Sequence, residues 1–408
     1  MTERVILHCD MNSFYASVEL LALPELKEKP VAVSGNTEGR HGIILAKNDL
    51  AKSYGIVTAE TVWQAKRKCP ALVLVKPHHY LYAKYSKEIN KIYESFTDMV
   101  EPYSIDESWL DVTGSLRLFG TGEEIGNQIR AKVKEELGLT LSVGVSFNKI
   151  FAKMGSDYKK PDATTVINGG NYKEMLWGKS VGELFYVGKA TEKKLQNIGI
   201  YTIGELALAD KKAIVGLLGK HGGDIHDYAN GKDNSVVSLA CEKRRIKSVG
   251  NGITFKRDLR SQDDIRVATA ALSDVVAGRL RTYQLKCTGI KVDIKDPFFK
   301  TISRQQQFNV GTNLSDEINR MSLAIIKKQW EENLPIRMIT ITGIGLVDET
   351  QNEQLSLFTE KTAKREKNET IERTIDHIRD KYGKGAITMG RVLNNDIGIE
   401  IYEEDFID

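Results

Sequence analysis

Strand-length apolar or β-branched runs recur through the first 165 residues, at positions 5–9, 31–34, 72–75, 108–112 and 141–145. Between them lie amphipathic stretches with apolar residues at helical spacing, of which 80–96 and 123–137 are the longest. Such alternation predicts an α/β unit built on a sheet. From 172 to 231 the pattern is helical with short turns. Beyond 248, strand-like runs (289–293, 301–308, 336–344) alternate with helical ones (263–281, 314–330), the pattern of a sheet with helices on one face. Residues 361–382 read as a charged helix. The expected fold class is therefore multidomain, α/β followed by α+β, with no internal repeat.

Composition narrows the classes. A chain of 408 residues is too long for one ordinary core. Its 41% apolar and 28% charged residues are those of a soluble globular protein. The sequence has no run of eighteen apolar residues, and a short strand-like segment rather than a signal peptide follows Met1-Thr2-Glu3-Arg4, so a cytoplasmic protein is expected. Cys9, Cys69, Cys241 and Cys287 are far apart, which argues against zinc ribbons and a disulfide framework. His78 and His79 lack a third ligand at helical spacing. The net charge of +3 is small, but it is unevenly spread. Residues 231–350 carry 20 Lys and Arg against 14 Asp and Glu, and 351–408 carry 9 against 13. The basic stretch is the better candidate for phosphate contact. Within it, residues 242–248 are charged and nearly free of apolar side chains, as in a solvated linker.

Three carboxylates stand at strand edges. Asp10 closes the first apolar run, and Asp106 and Glu107 adjoin one another in Tyr103-Ser104-Ile105-Asp106-Glu107-Ser108-Trp109-Leu110-Asp111. A central sheet could bring them to one acidic spot. Hard oxygen ligands of this kind suit Mg²⁺, which keeps several waters and is completed by substrate phosphates. Two such ions about 3.5–4 Å apart serve in-line phosphoryl displacement. Taken alone, an Asp-Glu pair beside an apolar run also reads as a solvated turn. The stretch around Gly188 is equally open: it is either the capped corner of two helices or a hairpin whose backbone N–H groups approach a DNA phosphate.

The surrounding text adds a family. Asp10-Met11-Asn12-Ser13-Phe14-Tyr15, the Tyr103 to Asp111 segment, Ser142-Val143-Gly144-Val145-Ser146-Phe147-Asn148-Lys149-Ile150-Phe151-Ala152-Lys153 and Lys159-Lys160-Pro161-Asp162 resemble the signature segments of the Y-family (translesion) DNA polymerases. The nearest branch is the bacterial DNA polymerase IV, or DinB-like, one, and the likeness spans roughly residues 1–350. It implies a right-hand polymerase: palm at 1–13 and 77–165, fingers at 14–76, a helix-hairpin-helix thumb at 166–233, a linker at 234–247, a little finger at 248–348 and a clamp-binding tail at 349–408.

The same resemblance implies site residues. Asp10, Asp106 and Glu107 become catalytic ligands of two Mg²⁺ ions, with the Met11 carbonyl beside them; Asn12 is neutral where relatives often have Asp. Tyr15 falls on the steric-gate position that rejects a ribose 2′-OH, although an aromatic there could also simply pack, a part better suited to Phe14. Lys52 and Lys160 fall on triphosphate positions. Where the family commonly has Tyr and Arg, this chain has Asp49 and Lys52, and Asp49 would repel phosphate unless turned away or paired. Gly188, Lys189, Lys243, Arg244 and Arg245 are the implied DNA contacts. In the tail, Gln354-Leu355-Ser356-Leu357-Phe358 resembles the pentapeptide that binds the bacterial sliding clamp (beta subunit), with Gln354, Leu355, Leu357 and Phe358 as anchors.

The expected function is template-directed, error-prone translesion synthesis on primer-template DNA with dNTP substrates, by a monomer without proofreading. Two rivals remain. A cyclase-like nucleotidyl transferase would lack the thumb hairpin, basic linker and clamp motif. A catalytically weak DNA-binding relative, a scaffold at stalled forks, would draw its support from Asp49 and Lys52.

Overall fold

Every residue of β1 (Ile6–Met11) is buried, a condition met only by a strand covered on both faces. The computed structural model describes residues 4–35, 42–242, 245–331, 334–350 and 362–399, and the chain divides into two units that meet in sequence at Lys243 and Arg244. In the first unit β1 is followed by β2 (Val31–Ser34), β3 (Ile44–Lys47), β4 (Val73–Val75), β5 (Val100–Pro102), β6 (Glu107–Asp111), β7 (Leu141–Ser146) and β8 (Thr164–Ile167). The large sheet has the order β5-β6-β1-β7-β8, with β1 central and antiparallel to both neighbours. The small one has the order β3-β2-β4.

Alternation along β1 assigns its two faces. Leu7 and Cys9 pack with Tyr82, Ile89 and Tyr93 of helix His79–Glu94 and with Ile125, Ile129 and Val133 of helix Gly122–Leu137. Ile6, on the other face, packs with Trp109 and Ala152 of helix Lys149–Tyr158. That helix lies close against β7: a Cβ at Gly144 would overlap the Ala152 carbonyl, and one at Gly155 would come within 2.9 Å of the Gly144 Cα. Thr121 and Glu124 form a capping box at the start of Gly122–Leu137, and Gly138, at φ 67°, ends it.

The small sheet carries two short helices. Asn48 caps Asp49–Ser53 by accepting from the Ala51 N–H at 2.9 Å, and its side chain also bonds Val31 N–H and the Lys29 carbonyl. Helix Phe14–Ala22 buries Phe14 and Val18 in the core of the large sheet, so that core takes in the start of the stretch expected to be fingers. Residues 172–229 form short helices whose core, including Leu176, Leu195, Leu206 and Ile225, is shared with Ile150, Phe151 and Met154 of helix Lys149–Tyr158.

In the second unit β9 (Val249–Leu259), β10 (Leu285–Lys295), β11 (Thr301–Thr312) and β12 (Ile336–Asp348) form an antiparallel sheet of order β11-β10-β12-β9. Helices Gln262–Thr282 and Ser315–Gln329 pack on it through Leu272, Val276, Ile318 and Ile325. Within the stretch expected as a clamp-binding tail, helix Thr362–Tyr382 is tied to this unit by Arg281, which pairs with Glu372 and, at 2.5 Å, with Asp376. Val392, Ile397 and Ile399 then enter the unit's core. Burial of apolar side chains supplies the drive to fold this segment back. Among the described residues no helix is long and apolar enough to cross a membrane.

Candidate active site

β1 and β6 are in register with Asp10 directly opposite Glu107, and Met11 N–H donates to the Asp106 carbonyl at 3.1 Å. Facing carboxylates on neighbouring strands repel. A buried ammonium answers this: Lys153 Nζ lies 2.8 Å from Asp10 Oδ2 and 2.6 Å from Glu107 Oε1. Lys160 Nζ reaches the same Asp10 oxygen at 2.9 Å, and Asp157 pairs with both lysines. Asp106 is held apart from this cluster, its Oδ1 accepting from Ser104 Oγ at 2.7 Å.

Electrostatics separates the three acids. Burial would raise the Asp10 pKa, but the Lys153 and Lys160 ammoniums outweigh it and hold the carboxyl at about 2. Burial pushes Glu107 up to about 7, with a hydrogen bond to Asp10 adding to the rise and the Lys153 ammonium pulling against it. Asp106 is also raised, chiefly by burial.

A cavity of about 430 Å³ opens beside these groups. Asp10, Met11, Asn12 and Asp106 line it, Phe14 and Tyr15 contribute aromatic surface, and Lys47, Asp49, Lys52, Thr58 and Lys160 bring charge and hydroxyl. The chain enters it through Ser13, a non-glycine residue at φ 50°, a strained conformation of the kind found at functional sites. Tyr15 is stacked flat on Tyr82, whose hydroxyl donates to the buried Glu19; Glu19 also bonds His78. Asn12 Nδ2 donates to Ser142 Oγ at 2.9 Å and Asn12 Oδ1 accepts from Asp162 N–H at 2.8 Å. The neutral amide thus ties β1 to the segment carrying Lys160.

Of the sequence candidates, Asp10, Met11, Tyr15, Lys52, Asp106 and Lys160 line one cavity, and Glu107 joins it through Lys153. Asp49 is exposed and also lines the cavity, so it is not turned away. Among the described residues no three His, Cys, Asp or Glu side chains form a ready-made metal cage. The donor set nevertheless fits a hard divalent ion that binds through few carboxylates and completes its shell with substrate phosphates: the buried Asp10 already holds two ammoniums, those of Lys153 and Lys160, standing where cations are wanted.

Gly188 and Lys189 are exposed at the N-terminus of helix Lys189–Gln196. Gly188 has an ordinary φ of −83° and open space where a Cβ would lie; the left-handed residue of this corner is Tyr186, at φ 73°. Arg245 is exposed, and Lys243, Arg244 and the Gln354-Leu355-Ser356-Leu357-Phe358 motif lie outside the described residues. The sequence reading missed Lys47, Thr58 and Lys153. Lys153 had a usable signal, its i,i+4 spacing from Asp157 on an apolar-faced helix.

Comparison with known proteins agrees along most of the chain. Residues 9–157 match the model of the impB/mucB/samB family, and 246–357 match that family's C-terminal domain. DNA polymerase IV of Acetivibrio thermocellus is 46% identical over 393 residues, covering 96% of this chain and 98% of that protein. DNA polymerase IV 1 of Bacillus subtilis is 36% identical over 400 residues, covering 96% and 94%. A solved Y-family DNA polymerase chimera shares the fold, with a TM-score of 0.74 at 21% identity, covering 84% of this chain and 99% of that one.

Proposed function

Because this chain belongs to the impB/mucB/samB family, the Y-family DNA polymerases, we propose that it carries out error-prone translesion synthesis by two-metal nucleotidyl transfer at the cavity beside Asp10 and Asp106. Polymerase activity itself, with primer-template DNA and dNTP as substrates, follows from the family. The observation that carries the finer reading is one cavity lined together by Asp10 and Asp106, by Lys52 and Lys160, and by the Tyr15 ring.

In this reading the primer 3′-oxygen forms a bond to the α-phosphorus, and the bond to the bridging oxygen of pyrophosphate breaks. Such transfer leaves the protein little covalent work; positioning and charge neutralisation dominate. Asp10, Asp106 and Glu107, with the Met11 carbonyl, would hold two Mg²⁺ ions, which when bound neutralise the attacking and leaving oxygens. Lys52 and Lys160 take the triphosphate as point charges, without the planar fork of an arginine. The ring of Tyr15 lies under the sugar and excludes a 2′-OH. Gly188, Lys189 and the Lys243, Arg244 and Arg245 run contact the DNA backbone, and the Gln354 to Phe358 motif docks on the sliding clamp.

Primer extension with Mg²⁺ and single dNTPs, on undamaged and lesion-bearing templates with and without clamp, tests this reading. Extension past the lesion with frequent misinsertion is expected, and Leu357→Ala with Phe358→Ala should remove clamp stimulation alone. Accurate synthesis that halts at every lesion would overturn the translesion reading.

A further inference from the structure

The reaction above gives no part to Lys153, the ammonium at the centre of the acidic cluster. Its ammonium touches three carboxylates, Asp10 at 2.8 Å, Glu107 at 2.6 Å and Asp157 at 3.3 Å. A positive charge ringed by hard oxygens stands where a divalent cation bound to Asp10 and Glu107 would need to stand. Both cannot hold the same oxygens, and Asp10 Oδ2 already accepts from Lys153 and Lys160 together.

The backbone under this lysine is fixed while its side chain is not. Asn148 caps the helix by accepting from Phe151 N–H at 2.8 Å. Ser156 Oγ donates to the Lys153 carbonyl at 2.8 Å and lies 2.8 Å from Nδ1 of the buried His8. The Gly144 and Gly155 contact sets the height of the helix above the sheet. A flexible four-carbon stem then projects the charge to the strand pair. The three partners differ in a useful way: the Asp10 and Glu107 side chains are 7% and 18% exposed, but that of Asp157 is 52% exposed, on the next helical turn.

We propose that Lys153 is a tethered counter-cation that occupies the Asp10 and Glu107 carboxylates in the metal-free protein, gives them up when a divalent cation arrives, and then rests on Asp157. Metal binding becomes an exchange of one cation for another. The exchange keeps the facing acids from repelling one another before metal binds, and it weakens the affinity for metal by the cost of moving the lysine. Lys153 is thus a positioning residue. The proposal rests on Asp10, Asp106 and Glu107 being the metal ligands.

The test uses the full chain without DNA and Mn²⁺ as probe, read by its electron paramagnetic resonance signal. Lys153→Met, which keeps the stem and removes the charge, should bind Mn²⁺ about tenfold more tightly. Its metal-free melting temperature should be lower than that of the wild type, and saturating Mg²⁺ should narrow the gap. Lys153→Arg should stay near the wild type in both. In the wild-type protein, labelling of Lys153 by an amine reagent, followed by peptide mass mapping, should rise when Mg²⁺ is added; this arm decides the question even where the methionine variant does not fold. Unchanged or weaker Mn²⁺ binding by Lys153→Met, or labelling indifferent to Mg²⁺, overturns the exchange. Asp106→Asn separates the two levels: if it loses Mn²⁺ the metal assignment stands and only the exchange is at stake, and if it retains wild-type binding the assignment itself falls.

Discussion

Tyr15 lies flat on Tyr82, with ring centroids 3.9 Å apart and planes within 11° of parallel. The stack is anchored, since Tyr82 donates to a buried glutamate and His79 meets both rings edge-on. A ring fixed in this way can reject an extra hydroxyl by collision, which a mobile ring would simply avoid. Tyr15→Ala should lower the preference for dNTP over rNTP by roughly 100-fold while leaving correct dNTP insertion within about tenfold of wild type. Competition assays with the two sugars measure this, and an unchanged ratio would reduce Tyr15 to packing.

Asp106 lines the cavity yet stands apart from the lysine cluster, bonded to Ser104. Unlike Asp10 and Glu107, it is bonded to a serine rather than to Lys153. Asp106→Asn should cut primer extension by about 1,000-fold or more, with DNA affinity by gel shift little changed because backbone contacts elsewhere carry it. Residual extension within tenfold of wild type would show that Asp106 is not a ligand.

The cation-rich side of the cavity contains one misplaced charge. Asp49 faces the same space as Lys47, Lys52 and Lys160, so a triphosphate there feels repulsion as well as attraction. Lys52→Ala should raise the dNTP KM by about tenfold with a smaller effect on kcat, and Asp49→Asn should leave KM unchanged or lower it. A large loss of activity in Asp49→Asn would mean that the carboxylate serves the reaction.

Acid should loosen the second unit through Asp264. Hydrogen bonds from Arg257 hold this carboxyl well below the usual range, against the upward pull of burial. The unfolded chain takes up the proton near the ordinary pKa of about 3.9. The stabilisation is therefore complete above that pH and is lost as pH falls toward the depressed folded value. Urea midpoints between pH 2 and 6 should fall on the acid side in wild type, and more shallowly in Asp264→Asn.

Most of the architecture was readable from pattern because the large sheet obeys simple rules. β1 and β7 are short stretches rich in apolar residues with every position buried, and helix Gly122–Leu137 announces itself through Thr121, Glu124 and Gly138. β9 was missed. Its Gly250 and Gly252 break the strand signal, and they are there because Thr342 and Thr340 on β12 crowd those positions. The end of the second unit was half legible: 361–382 reads as a charged helix, but its partner Arg281 stands 81 positions before the helix begins in sequence at Thr362. At the site, the acids, the aromatic and two lysines were legible as local motifs. Lys153 was legible only as an i,i+4 partner of Asp157; its hold on Asp10 and Glu107 lies in a register between β1 and β6 that no local spacing encodes.

The anchoring of helix Thr362–Tyr382 bears on how the second unit comes apart. Arg281 joins the helix at Glu372 and Asp376, and beyond it Val392, Ile397 and Ile399 lie in the unit's core. An end tied in both by charge and by burial should open together with the body that holds it, rather than fraying on its own.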